Sequence, residues 1–151
     1  MRCGAAFVLV LALCVALRGT ADDKKGEKPL DPELKKLQGR WELTYHETAG
    51  QDDTKECKWV MVVDGDRWTV TDGDGGTSKG TLRLDPTKKP KQLAYTITGA
   101  DGDQEFIGIY ELDGDTYKTC DVAKGKERPT EFATKEETGQ VAAWKRAKVK
   151  D

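Results

Sequence analysis

The side chains here that could do chemistry are few: one histidine, His46; one serine, Ser78; the cysteines Cys57 and Cys120; and acids repeated as Asp-Gly-Asp. A Ser-His-Asp relay needs hydroxyl, imidazole and carboxylate held in line. Ser78 instead lies in the run Gly75-Gly76-Thr77-Ser78, with no G-x-S-x-G turn around it. A Cys-His pair using Cys57 or Cys120 has no more support. One histidine cannot build the His-rich ligand sets typical of catalytic zinc. Its parity also sets His46 opposite Trp41, Leu43 and Tyr45, on the solvent side of a strand.

The Asp-Gly-Asp triplets fall at 64–66, 72–74, 101–103 and 113–115. Hard cations such as calcium want carboxylate oxygens, but no triplet continues into an EF-hand loop. Each lies between alternating runs, where Asp-Gly makes a turn. Thr77-Ser78-Lys79-Gly80 lacks the order and glycine spacing of a P-loop. The residues therefore predict no enzyme, no catalytic residue, no metal ligand set and no cofactor.

What remains is aromatic. Trp59, Tyr95, Phe106 and Tyr110 are candidate wall residues for a small apolar ligand. Aromatic side chains equally well fill a small barrel with no ligand in it.

The elements that position these residues start after an export signal. Arg2 gives a positive n-region, Ala5 to Leu17 is an unbroken run of 13 apolar residues, and Gly19-Thr20-Ala21 supplies small residues before a cleavage point. Such a run spans only about 20 Å as a helix, short of a bilayer core of about 30 Å. The reading is a signal peptide over 1–21, a periplasmic or extracellular destination, and no membrane span in the mature chain. Cys14 follows Leu13 rather than a small residue, which argues against a lipid anchor. Beyond Ala21 there are 23 basic and 27 acidic residues, a net charge of −4. The signs are interleaved, which argues against nucleic acid and anionic membranes as partners. In an oxidising compartment Cys57 and Cys120 could bridge, and two free buried thiols fit the sequence as well.

Residues 22–30 read as a charged, disordered leader. Asp31-Pro32-Glu33 then opens a short helix, with Leu34 and Leu37 on one face and Gly39 as its stop. From Arg40 the hydrophobic period becomes two. Alternating runs at Trp41–Tyr45, Trp59–Val63, Trp68–Val70, Thr77–Leu84, Leu93–Ile97 and Val141–Arg146 read as strands, with a polar loop over Gly50–Glu56. Between Phe106 and Phe132 two strands fold about Asp113-Gly114, pairing Tyr110 with Tyr117 and Ile107 with Cys120. Both faces of the strand at Phe106–Leu112 are apolar, so periodicity does not choose its inner one. A charged loop ending in Arg128-Pro129-Thr130-Glu131-Phe132 follows, fit to tie down a barrel end or to dock a partner. The fold class is all-β: an antiparallel up-and-down barrel of about eight strands over 31–147, with a frayed 148–151.

Two resemblances sharpen this. Gly39-Arg40-Trp41, after a short helix and opening the first strand, resembles the G-x-W signature of lipocalins. That resemblance implies that Trp41 packs at a closed barrel end beneath a basic residue of the last strand, here Arg146. A longer pattern runs from Leu37-Gln38-Gly39-Arg40-Trp41 through Gly80-Thr81, Leu84-Asp85-Pro86 and Lys89-Pro90-Lys91. It continues through Gly108 to Asp115, Cys120, Arg128 to Phe132 and Lys145-Arg146. It resembles the small uncharacterised exported domain family expanded in planctomycete bacteria, although Gln92-Leu93-Ala94 departs from that family's usual Asp. The resemblance implies a lipocalin-like barrel behind an export signal and carries no activity with it. Two roles are expected: a barrel binding a small apolar molecule, or a cell-envelope interaction or structural protein with a filled core. An apolar cavity of about 300 Å³ or more would favour the first.

Overall fold

A computed structural model describes residues 29–134 and 139–148. The expected signal peptide over 1–21, leader residues 22–28 and the terminal 149–151 lie outside the described residues. The described chain forms one helix, α1 (Pro32–Leu37), and nine strands: β1 (Gly39–Thr48), β2 (Gln51–Asp52), β3 (Val60–Asp64), β4 (Arg67–Thr71), β5 (Thr77–Asp85), β6 (Gln92–Ile97), β7 (Gln104–Asp113), β8 (Thr116–Ala123) and β9 (Gln140–Arg146). From β3 to β9 each strand pairs antiparallel with the next, and β1 pairs with both β3 and β9. Eight strands thus close into a barrel without a free edge. The ninth, β2, is a two-residue return along β1 inside the segment read as a polar loop.

The alternation of the sequence becomes the inside and outside of this wall. Met61, Val63, Trp68, Leu82, Leu93, Tyr110, Tyr117 and Trp144 join one buried inner cluster. On β7 the inner residues include Phe106, paired with inward Tyr95, and Tyr110; Ile109 packs outside with Cys120, Val141, Tyr45 and Phe132. Gly108 has no side chain because a Cβ there would run into Cys120 and Asp121 of β8. Leu30, read as leader, packs against the core.

The β7–β8 hairpin corrects the predicted register. Asp113 pairs with Thr116, Leu112 with Tyr117 and Ile109 with Cys120, so the turn is Gly114-Asp115 rather than Asp113-Gly114. Among its residues only Gly114 takes a positive φ, 53°. A slip of two residues keeps every side chain on its predicted face. Tyr110 and Tyr117 become diagonal neighbours, with ring centroids 6.2 Å apart.

One end of the barrel is closed by α1. The Asp31 carboxylate caps the helix by accepting from Glu33 N at 2.8 Å, with Pro32 in the first turn. Leu34 and Leu37 point into the barrel, and the Trp41 indole N–H donates to Leu37 O at 2.8 Å. The Arg146 guanidinium lies 4.2 Å from the centre of the Trp41 ring. It donates to Gln38 O at 2.6 Å, Lys36 O at 2.7 Å and Asp115 Oδ1 at 3.1 Å.

Candidate functional site

The other half of the barrel is a cup of about 240 Å³. Its floor is apolar, formed by Met61, Trp68, Leu82, Leu93 and Trp144. Its rim includes the exposed residues Asp72, Gly76 and Ser78 around the β4–β5 turn. Asp72 Oδ1 accepts from Asp74 N at 3.0 Å and Gly76 N at 2.7 Å, so this Asp-Gly-Asp triplet acts as a turn.

One side of the cup is polar. Asp121 on β8 is 2% exposed. Its Oδ1 accepts from the Tyr95 hydroxyl at 2.7 Å and from Gln140 Nε2 at 3.0 Å. Burial pushes the Asp121 carboxyl up to about 6, against the pull of those two donors. Burial foremost, with the Asp121 charge behind it, raises the Tyr95 hydroxyl far above its usual range, so it stays a donor. Gln140 Nε2 also reaches Tyr95 Oη at 2.9 Å, and its Oε1 faces His46 Nε2 at 3.4 Å. Thr119 completes this side.

His46 corrects its predicted position: it is 3% exposed and lines the cup. The cause is a bulge in β1. Leu43 pairs with Trp144 and Tyr45 with Ala143, leaving Thr44 as the extra residue. One inserted residue reverses the parity of all that follow. Trp41 and Leu43 therefore point in with His46, whereas Tyr45 packs outside against the Phe132 cluster.

The return through β2 brings two further groups to the same ring. Ala49 and Gly50 both take positive φ, 50° and 82°, as a two-residue hairpin turn requires. Thr54 Oγ1 accepts from His46 N at 2.9 Å and donates to His46 O at 3.1 Å, pinning the loop to β1. Asp53 Oδ1 then lies 2.5 Å from His46 Nδ1, and Cys57 Sγ lies 3.7 Å from that same nitrogen. A catalytic relay needs acid and nucleophile on opposite ring nitrogens; here both converge on Nδ1. Burial, with the charges of Asp53 and Glu56 behind it, pushes the Cys57 thiol upward, away from a reactive thiolate. No hydrogen bond joins Ser78 to His46 among the described residues.

The expected wall residues divide. Trp59 and Tyr95 line the cup. Phe106 stacks on Tyr95 with centroids 5.0 Å apart and lies outside the lining. Tyr110 belongs to the closed end, under Lys91 at 5.7 Å. Its buried hydroxyl has no partner among the described residues. Cys57 and Cys120 are free thiols. Cys57 faces His46, while Cys120 lies in the outer cluster and meets Ala133 O at 3.6 Å, so the wall separates them. The Arg128–Phe132 segment lies along the outer wall instead of across an end: Arg128 Nη1 donates to Leu93 O at 2.7 Å and Gly108 O at 2.5 Å, and Phe132 packs on the outer cluster.

Sequence reasoning missed Asp121, Gln140, Trp68 and Trp144 as lining residues. Parity would have placed them inward, since Asp121 follows inward Tyr117 by four positions and Gln140 precedes Trp144 by four, and position along the strand then sets them at the open end. Comparisons with protein-family models, curated proteins and solved structures give no match to this chain.

Proposed function

We propose that this chain is an exported, lipocalin-like binding module that takes a small, largely apolar molecule carrying one polar end. The observation behind this reading is the cup: an apolar floor with a single polar side built by Asp121, Gln140, Tyr95 and His46. A filled core would have no use for a buried carboxyl facing open space, because burial of such a group is costly. The convergence of Asp53 and Cys57 on one nitrogen of His46 favours binding over catalysis. The opening apolar run, the small residues before Ala21 and the resemblance to an exported bacterial domain support a periplasmic or extracellular location.

The size of the cup supports the second reading. At about 240 Å³ it lies below the usual range for drug-sized ligands, which starts at about 300 Å³. The occupant is therefore smaller than such a ligand, or the barrel acts through its surface on an envelope partner. Native mass spectrometry of the protein purified from its own host separates these. A small adduct lost on denaturation is the expected result; a retained protein partner, or the bare chain of a structural protein, contradicts it and supports the second reading.

A further inference from the structure

We propose that His46, Asp53 and Cys57 form a binding site for a divalent transition metal of the zinc type, at the side of the cup. This goes beyond the small-molecule reading and does not depend on it. The ligand atoms His46 Nδ1, a carboxylate oxygen of Asp53 and Cys57 Sγ all lie within 4.8 Å of one another. A tetrahedral zinc with Zn–N and Zn–O of about 2.0–2.2 Å and Zn–S of about 2.3 Å needs ligand atoms roughly 3.4–3.6 Å apart. The Sγ–Nδ1 separation, 3.7 Å, is already close to that. The Asp53–Nδ1 separation, 2.5 Å, must open by about 1 Å, and the movement falls to the Asp53 carboxylate, whose other oxygen accepts from Thr48 Oγ1 at 3.3 Å. The Asp53 side chain is 31% exposed, against 3% for His46, which also gives an ion a way in.

The surroundings match what a metal histidine requires. A ligating imidazole donates its other N–H to an oxygen that fixes the ring. His46 Nε2 faces Gln140 Oε1, and Gln140 is oriented by Asp121 and Tyr95 through its amide nitrogen. The His46 backbone is held on both sides by Thr54. The mixed N, O and S set suits zinc or cobalt over magnesium or calcium, which take oxygen alone. Three protein ligands leave a fourth position open. An ordinary His–Asp ion pair with a bystander thiol would share the 2.5 Å contact, so the thiol is the discriminating atom.

The test uses the full mature chain, reduced and stripped with a chelator, then titrated with cobalt(II). The expected result is a near-ultraviolet thiolate-to-cobalt charge-transfer band with tetrahedral visible bands, both displaced by zinc(II). Cys57→Ser should abolish the charge-transfer band and Cys120→Ser should retain it. Gln140→Leu should weaken zinc binding by roughly 10- to 100-fold. Asp53→Asn gives a second probe whose fold does not depend on the thiol, and it should also weaken binding about tenfold or more. Absence of the band in the unaltered chain, or its persistence in Cys57→Ser, overturns the proposal.

Discussion

At the closed end, each nitrogen of Arg146 has an acceptor, the Trp41 indole N–H is bonded and Glu33 sits between Lys91 at 2.7 Å and Lys36 at 3.0 Å. At the open end the same strands carry Asp121, Gln140 and His46 beside unfilled space. The closed end pairs its charged groups with one another or with backbone carbonyls and leaves the Tyr110 hydroxyl without a partner among the described residues. The hydrogen bond from Lys91 accordingly holds the Glu33 carboxyl below its usual range, while burial drives Asp121 the other way. A barrel of this size completes one end by packing and leaves the other as an open cup, the space that the proposed binding role would use.

The comparison breaks most visibly with tryptophan. Trp41 is fully buried, so Trp41→Ala should lose about 3–5 kcal/mol by chemical denaturation. Trp59→Ala, at a half-buried position beside the cup, should lose less than about 2 kcal/mol. Equal losses would mean that the open end is packed as tightly as the closed one.

Acid titration sharpens the contrast in charge. Folding lifts the Asp121 carboxyl from 3.8 to about 6, so the folded chain keeps a proton that the unfolded chain has lost. Stability from this group is complete below the unfolded value and disappears as pH rises through about 6. Asp121→Asn should therefore gain on the unaltered protein by up to about 3 kcal/mol between about pH 4 and about pH 8. A gap that does not change with pH would contradict a buried, costly carboxylate.

Smaller effects follow at the cap and at the hairpin. A double-mutant cycle of Trp41→Phe and Arg146→Ala should show a coupling of about 0.5–2 kcal/mol, with Arg146→Lys recovering only part of the loss. Simple additivity would deny the stacked guanidinium its part in closing the barrel. Ala49 takes a φ of 50°, which a side chain disfavours. Ala49→Asn should raise stability by about 0.5–1 kcal/mol in thermal denaturation, since asparagine tolerates that conformation.

Alternation made the barrel readable, because each strand has one face in the core and its parity survives small register errors. The pairing of Trp41 with Arg146 was readable from the resemblance of Gly39-Arg40-Trp41 to the lipocalin signature, together with the meeting of first and last strands when a barrel closes. His46 was not, because one extra residue at Thr44 reverses parity without any mark in composition. The gathering of Asp53 and Cys57 around it was hidden too, since it depends on that reversal and on a two-residue return strand. Residue type alone puts Tyr110 on the ligand wall, whereas its position along the strand places it at the closed end.

The four tryptophans offer the most direct test of a binding cup at one end of the barrel. Trp59, Trp68 and Trp144 line the cup, and Trp41 lies at the closed end. In a two-dimensional NMR titration with benzyl alcohol, small and apolar with one hydroxyl, the indole signals of Trp59, Trp68 and Trp144 should shift and saturate while that of Trp41 stays in place. Uniform shifts of all four, or none at any concentration the probe allows, would contradict a binding cup confined to the open end.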